Sequence, residues 1–250
     1  MNKSKSLRLP IAIAALFISV QGLAAGGDVE LESADIDPGN ISSLQRGARN
    51  FMNYCSGCHS AQYVRFNTIG KYLELSEEQL VDNLMFNAEK TFETIQASMP
   101  AEDAARWYGT APPDMSLMAR AKGADYIFNF LKGFYLDADS PTGVDNSVLA
   151  GTSMPHVLWQ LQGYQRAVIE EHTVDGVASH KIVGFEHVTT GSLDAEDYDD
   201  FVRDTVNFLA YISEPIRSER RKLGVWVLMY LIVFWVIAVM LKKQIWKDVK

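Results

Sequence analysis

Apolar positions in this chain follow several distinct rhythms. Ile41, Leu44, Ala48, Phe51 or Met52, and Cys55 recur at helical spacing, which predicts an amphipathic helix carrying Cys55 on its packed face. Ser76-Glu77-Glu78-Gln79 reads as a capping box opening a helix that includes Leu80, Leu84 and Met85. Ile127, Phe130, Leu131 and Phe134 mark a third helix. Tyr198, Phe201, Val202, Thr205, Phe208 and Ile212 mark a fourth, ending before Glu214-Pro215. Between these, residues 26–39 read as an acidic, turn-rich lead-in and residues 60–70 as irregular. Residues 100–116 lack a strong period, and Pro112-Pro113 fixes an extended loop there. Residues 137–151 form another loop, running into Gly151-Thr152-Ser153-Met154-Pro155. Residues 168–188 differ, because β-branched residues flank Asp175-Gly176, a two-residue hairpin signal.

The two ends are apolar in another way. Lys3, Lys5 and Arg8 precede an apolar run over 11–20 and small residues at Gly22, Ala24 and Ala25, the pattern of a secretory signal peptide over residues 1–24. Residues 223–241 contain no charge and are bounded by Arg220, Arg221, Lys222 and by Lys242, Lys243. As a helix this run spans about 28 Å, close to the hydrocarbon thickness of a bilayer, and it predicts a membrane anchor. Flanking charge does not decide its orientation, since Arg217, Arg220, Arg221 and Lys222 equal the four lysines that follow. Export decides it: residues 25–222 lie outside the cytoplasmic membrane, in the periplasm, and residues 242–250 inside.

Hydrophobic residues at 48 % and charged residues at 22 % describe an ordinary globular protein. The chain has 23 Lys and Arg and 31 Asp and Glu. Setting aside Lys3, Lys5 and Arg8, and beyond residue 222 Lys242, Lys243, Lys247, Lys250 and Asp248, the exported part keeps 16 basic and 30 acidic side chains, a balance of −14. Such a surface repels nucleic acid and attracts a basic partner. Asp194, Glu196, Asp197, Asp199 and Asp200 crowd the start of the fourth helix, where acids favour the helix dipole; a docking patch is the rival reading.

Only two cysteines are present, in Tyr54-Cys55-Ser56-Gly57-Cys58-His59. C-x-x-C-H is the signature of c-type haem attachment. Two thiols three positions apart can add to the two vinyl groups of one haem, and the adjacent imidazole of His59 then serves as proximal iron ligand. Zinc would need a second ligand pair that the chain lacks, and a disulfide is the main competitor. A second axial ligand separates electron transfer from small-molecule binding. A soft thioether raises the potential, and Met99 and Met154, each followed by proline, are the candidates left after core and membrane methionines are set aside; His156 is a further rival. His172, His180 and His187 invite a metal reading of the hairpin. Pairing across Asp175-Gly176 sets His172 opposite Ser179, however, so His180 faces the other side, and solvated histidines are the reading adopted.

In order along the chain stand the signal peptide, Tyr54-Cys55-Ser56-Gly57-Cys58-His59-Ser60, Pro112-Pro113-Asp114-Met115-Ser116 leading to Arg120-Ala121, Met154-Pro155, Val206-Asn207-Phe208-Leu209 before Glu214-Pro215, and one C-terminal anchor. Together these resemble bacterial cytochrome c1, the haem c subunit of quinol:cytochrome c reductase (complex III). The resemblance implies a mainly α c-type cytochrome domain with a small β-hairpin insertion and one C-terminal transmembrane helix. It implies one covalent haem c on Cys55 and Cys58, with His59 and Met154 as axial ligands. It also implies that Arg120 and, less directly, Tyr126 meet the haem propionates, and that Pro112 and Pro113 cover the proximal side, where a backbone carbonyl could accept from His59 Nδ1. Cytochrome b, the Rieske iron-sulfur protein and a basic cytochrome c are the implied partners, in a dimeric complex. The hairpin departs from the family pattern. Rivals are a free-standing membrane-anchored cytochrome c donating to a terminal oxidase, a haem peroxidase, and a thiol-disulfide protein.

Overall fold

Helix α1 (Ile41–Tyr54) forms where the helical rhythm predicts, with the Asn40 side chain accepting from Ser43 N–H at its start. It lies against α8 (Ala195–Ser213), and the two make the central contact of the fold. A β-carbon at Gly47 would fall on the Asp204 carbonyl oxygen and lie 2.8 Å from Phe208 Cβ, so glycine there sets the separation of the helices. Phe51 and Phe208, both fully buried, meet with ring centroids 5.9 Å apart. Each such ring stabilises the fold by roughly 1.5–3 kcal/mol through burial. Several polar groups in this contact are paired: Asn50 Nδ2 donates to the Phe201 carbonyl and Thr205 Oγ1, both at 3.2 Å. Asn207 Nδ2 donates to the Asp37 carbonyl at 2.8 Å and Ser43 Oγ at 2.9 Å, and Arg46 forks onto Asp204. Such pairing removes most of the cost of burying amides and a carboxylate.

The computed structural model describes residues 31–174 and 177–247. The expected signal peptide lies outside the described residues, as do the hairpin turn Asp175-Gly176 and the side chains of His172 and His180.

After α1 the chain makes β1 (Ala61–Arg65) and α2 (Phe66–Tyr72), where an irregular segment was expected. Val64, Phe66 and Ile69 are buried, and β1 pairs antiparallel with β2 (Thr94–Ile95), 29 or more residues away, a partner no local pattern announces. Between them α3 (Glu77–Leu84) opens with both hydrogen bonds of the predicted capping box, Ser76 Oγ from Gln79 N–H and Gln79 Oε1 from Ser76 N–H. Helix α4 (Ala101–Tyr108) also stands where no period was seen. Only Ala104 of its eight residues is buried, so it has no apolar stripe, and it stops at Gly109, whose φ of 78° a glycine adopts without strain.

Short helix α5 (Met118–Lys122) leads into α6 (Ala124–Lys132). The third predicted helix ends two residues early, at Lys132, and Phe134 instead starts β3 (Phe134–Leu136), paired with β4 (Val144–Asn146) inside the expected loop. Helix α7 (Trp159–Gln162) precedes the expected hairpin, β5 (Gln165–Val174) and β6 (Val177–His187). Its register places His172 opposite Ser179, as the turn position predicts, with one bulge at Val168/Ile169. Asp194 caps α8 by accepting from Asp197 N–H, in line with the local reading of its acidic first turn. Helix α9 (Arg217–Ile245) is continuous through the predicted span 223–241, and its apolar residues there are exposed, as a lipid-facing helix requires. The architecture is mainly α, with three two-stranded antiparallel ribbons among the described residues.

The α1–α8 contact generates a test of stability. Gly47→Ala is expected to cost about 1–3 kcal/mol by overpacking. Gly184→Ala, where a β-carbon meets open space, should change stability by no more than ~0.5 kcal/mol. Denaturant unfolding of the two variants checks this, and equal effects would remove the close-approach argument.

Candidate haem-attachment site

Cys55 is the residue that ends α1, its N–H still bonded to the Phe51 carbonyl at 2.9 Å. Its own carbonyl then accepts from both Cys58 N–H (3.0 Å) and His59 N–H (2.8 Å), which wraps the C-x-x-C-H segment into one tight turn. Ser56 Oγ caps back onto the Met52 carbonyl, and Met99 N–H bonds the Gly57 carbonyl from the segment after β2. Both thiols are free. Burial, with a smaller contribution from Cys58, pushes the Cys55 thiol up to about 12, and burial also raises Cys58.

The imidazole of His59 meets the second element of the site, the double-proline loop. His59 Nδ1 lies 2.8 Å from the Pro113 carbonyl oxygen. A carbonyl can only accept, so Nδ1 carries the hydrogen and Nε2 keeps its lone pair for a metal. Burial holds the His59 pKa below its ordinary value, with the Pro113 carbonyl and the Asp114 charge acting in the opposite direction, so the ring is neutral at pH 7.

Asp114 explains why that loop stays in place. Its Oδ2 accepts from Ser60 Oγ at 2.7 Å and Gln62 N–H at 2.8 Å, and its Oδ1 from Ser116 N–H at 2.9 Å. Met115 N–H reaches the Ser60 carbonyl at 2.7 Å and Tyr63 N–H reaches Ser116 Oγ at 3.1 Å. Burial alone would raise the Asp114 pKa, but these donors outweigh it and hold it below the usual carboxylate range. The carboxylate thus laces residues 60–63 to residues 113–116.

A third segment brings Met154. Asp145 Oδ1 accepts from Gly151 N–H at 2.7 Å and Thr152 N–H at 3.3 Å, while buried Asn146 Oδ1 accepts from Val148 and Leu149 N–H and its Nδ2 donates to the Phe130 carbonyl. Met154 is half-buried, as are Cys55, Met115, Met118, Tyr126 and Phe130, all packed against the same core. Met99 is half-buried outside that cluster, held at the C-x-x-C-H turn through its main chain. His156 is 5 % exposed and sandwiched against Phe134, centroids 5.1 Å apart and planes at 9°, with Tyr164 edge-on at 6.2 Å. Burial brings its pKa down to about 4, against smaller upward contributions from the Gly163 backbone and the Gln162 side chain.

Arg120 stands on α5 with its side chain exposed and in no ion pair among the described residues. Tyr126 stacks on Phe130 at 6.4 Å, with Lys122 Nζ 5.4 Å above its ring. Sequence reasoning missed Asp114, Asp145 and Asn146. Asp145-Asn146 ahead of Gly151 was the available signal, because Asp and Asn fold following backbone onto their own side chains.

Two thiols on one turn and a neutral imidazole with Nδ1 engaged directly after them fit the attachment of a c-type haem. Comparison with known proteins agrees with that chemistry. Residues 36–249 match the Cytochrome C1 family. Cytochrome c1 of Allochromatium vinosum is 45 % identical, over 91 % of this chain and 93 % of that protein. The ammonia monooxygenase gamma subunit of Nitrosomonas europaea is 37 % identical over 90 % and 92 %, and cytochrome c1 of Rhodospirillum rubrum 29 % identical over 83 % and 82 %. By its motif, its fold and these likenesses, the chain belongs to the cytochrome c1 family.

Proposed function

We propose that this chain is the membrane-anchored haem c subunit of a quinol:cytochrome c reductase, relaying electrons from a Rieske iron-sulfur protein to a basic cytochrome c. The observation that carries the reading is the His59 Nδ1 to Pro113 carbonyl bond at 2.8 Å, which presents a neutral imidazole for iron directly after the two thiols. Cys55 and Cys58 would hold one haem through two thioether bonds. His59 and Met154 would be its axial ligands. When bound, the haem would supply a one-electron couple, and holding its iron with a thioether besides the imidazole would set that couple high.

The chain's own groups do the rest. The Pro112-Pro113 loop, fastened by Asp114, holds His59 in one tautomer and one orientation. Arg120 and Tyr126 are the proposed partners of the propionates; the free, exposed guanidinium suits a carboxylate, which it binds through two parallel hydrogen bonds. Residues 1–24 serve as signal peptide, 25–222 as the periplasmic domain, 223–241 as the transmembrane segment and 242–250 as the cytoplasmic tail. Cytochrome b is the proposed neighbour of α9, whose apolar side chains are open along its length. A relative of Bradyrhizobium diazoefficiens bears the name cytochrome b/c1, in keeping with that neighbour. The complex would be dimeric.

Mild-detergent purification checks the assembly: cytochrome b and an iron-sulfur subunit should travel with the chain. Recovery of the chain alone, or with an oxygenase such as the Nitrosomonas name suggests, would overturn the reductase assignment. Met154→Leu is expected to lower the reduction potential by about 100 mV or more, within the roughly 0.8 V range that axial ligation spans. Haem should stay covalently attached; an unchanged potential on redox titration would move the ligand to Met99 or His156. Electron transfer to a basic cytochrome c should slow steeply between about 0.01 M and 1 M salt, as the screening length falls from roughly 30 Å to 3 Å. Stopped-flow rates that ignore salt would eliminate steering by the exported domain's negative charge.

A further inference from the structure

The segment that carries Met154 is fastened on both sides to one short ribbon. On its N-terminal side, Asp145 of β4 takes the N–H groups of Gly151 and Thr152 on a single carboxylate oxygen, and also the N–H of Asn146 at 2.8 Å. Asn146, the next residue of β4, folds Val148 and Leu149 onto its amide oxygen, so the whole turn 147–152 closes over two adjacent side chains. On the C-terminal side, the ring of His156 lies flat on Phe134 of β3, inside a buried aromatic group completed by Tyr164. β3 and β4 are paired, Phe134 directly opposite Asn146. Three residues, Ser153, Met154 and Pro155, are therefore suspended between two clamps on opposite strands of the same ribbon. Phe130 belongs to this ribbon's support, since its carbonyl holds Asn146 Nδ2 and its ring meets Phe134 at 5.2 Å.

We propose that Asp145 and His156 are positioning residues for the Met154 thioether, the first acting by backbone hydrogen bonds and the second as an aromatic spacer, with the β3–β4 ribbon as their mount. This rests on the reading of Met154 as the iron ligand. His156 works through its ring faces: neither ring nitrogen makes a hydrogen bond of ordinary geometry among the described residues, while the face stacks closely on Phe134. Asp145 works through acceptor geometry, because one oxygen gathers three N–H groups that flank the turn. Thr152, whose N–H Asp145 holds, in turn offers its Oγ1 to Met154 N–H at 3.4 Å. A thioether bond to iron is weak enough that a shift of the sulfur by about 1 Å would release it, so supports of this kind decide whether it stays.

The test uses the full haem-loaded protein in detergent and the reduced state. Its readouts are the ring-current-shifted methyl resonance of Met154 and the rate of carbon monoxide binding. Asp145→Ala and His156→Ala should each diminish the shifted methyl signal and speed carbon monoxide binding at least tenfold, with haem still covalently attached. Asp145→Asn, which keeps an acceptor oxygen, and His156→Phe, which keeps the stacked ring, should stay within about twofold of the parent. If an alanine variant fails to accumulate, the conservative pair still decides: His156→Phe opening the iron to carbon monoxide would show that the nitrogens matter and overturn the spacer role. Alanine variants with an intact methyl signal and parental carbon monoxide binding would overturn the proposal. Met154→Leu serves as the reference. Should it leave the spectrum unchanged, the ligand assignment itself fails; should it open the site while both alanine variants do not, only the clamp fails.

Discussion

Helices α1 and α8 can meet backbone to backbone only because residue 47 has no β-carbon. That near-contact fixes the axis of α1, and Cys55 is the last residue to feel it, since its N–H closes the final turn of the helix. Everything on the proximal side follows from the position of that turn. The Cys55 carbonyl gathers Cys58 and His59, and the ring of His59 then lies within hydrogen-bond distance of a carbonyl 54 residues further along. A shift of α1 along α8 would carry both thiols and the imidazole with it as one body. The hydrogen bonds from Asn50 to the Phe201 carbonyl and Thr205 resist such sliding, because they tie side chains to defined positions on the opposing helix.

Two carboxylates play the same part in two separate loops. Asp114 gathers donors from residues 60, 62 and 116, and Asp145 from residues 146, 151 and 152. In each case a loop too short and too proline- or glycine-rich to form regular structure obtains from one side chain the hydrogen bonds that a helix or ladder would have given. Asp114 keeps its charge over the whole physiological range, since its donors hold its pKa below the usual carboxylate value. The loops are thereby ordered without bulky cores of their own.

The long elements were legible in the sequence because their own residues supply the partner surface. α1 and α8 show a full apolar stripe, and the Ser76 and Gln79 pair announces α3 down to its individual hydrogen bonds. Hairpin register was legible too, as Asp175-Gly176 fixes which residues face each other. What escaped shares one physical character: its stabilising partner is distant. β1 pairs with a two-residue strand across α3, and α4 buries a single alanine. Phe134 would be buried on α6 or on β3 alike, and glycine at 133, where a side chain would strike Ser147 Oγ, settles the matter in favour of the strand. In the site, the C-x-x-C-H motif and the double proline were visible as residue types, while the acceptors that orient them were not, because Asp114 and Asp145 look like ordinary loop acids until the donors are seen.

The acidic start of α8 shows how geometry redistributes a charge argument. Five acids stand within seven residues there, yet Asp194 is engaged in capping the helix, Asp199 shares Lys132 with Glu32, and Asp200 pairs with Arg203. Glu196 and Asp197 alone of the five show neither an ion pair nor a side-chain hydrogen bond among the described residues. A pair so placed contributes little that a solvated helix start would not. Any attraction for a basic partner would then come from the excess of acids spread over residues 25–222, 30 against 16 basic side chains. A field of that kind guides approach from a distance without dictating one orientation. Exposed apolar side chains such as Tyr63 and Leu117, which adjoin the Asp114-laced loop, offer the short-range contact that such a field lacks.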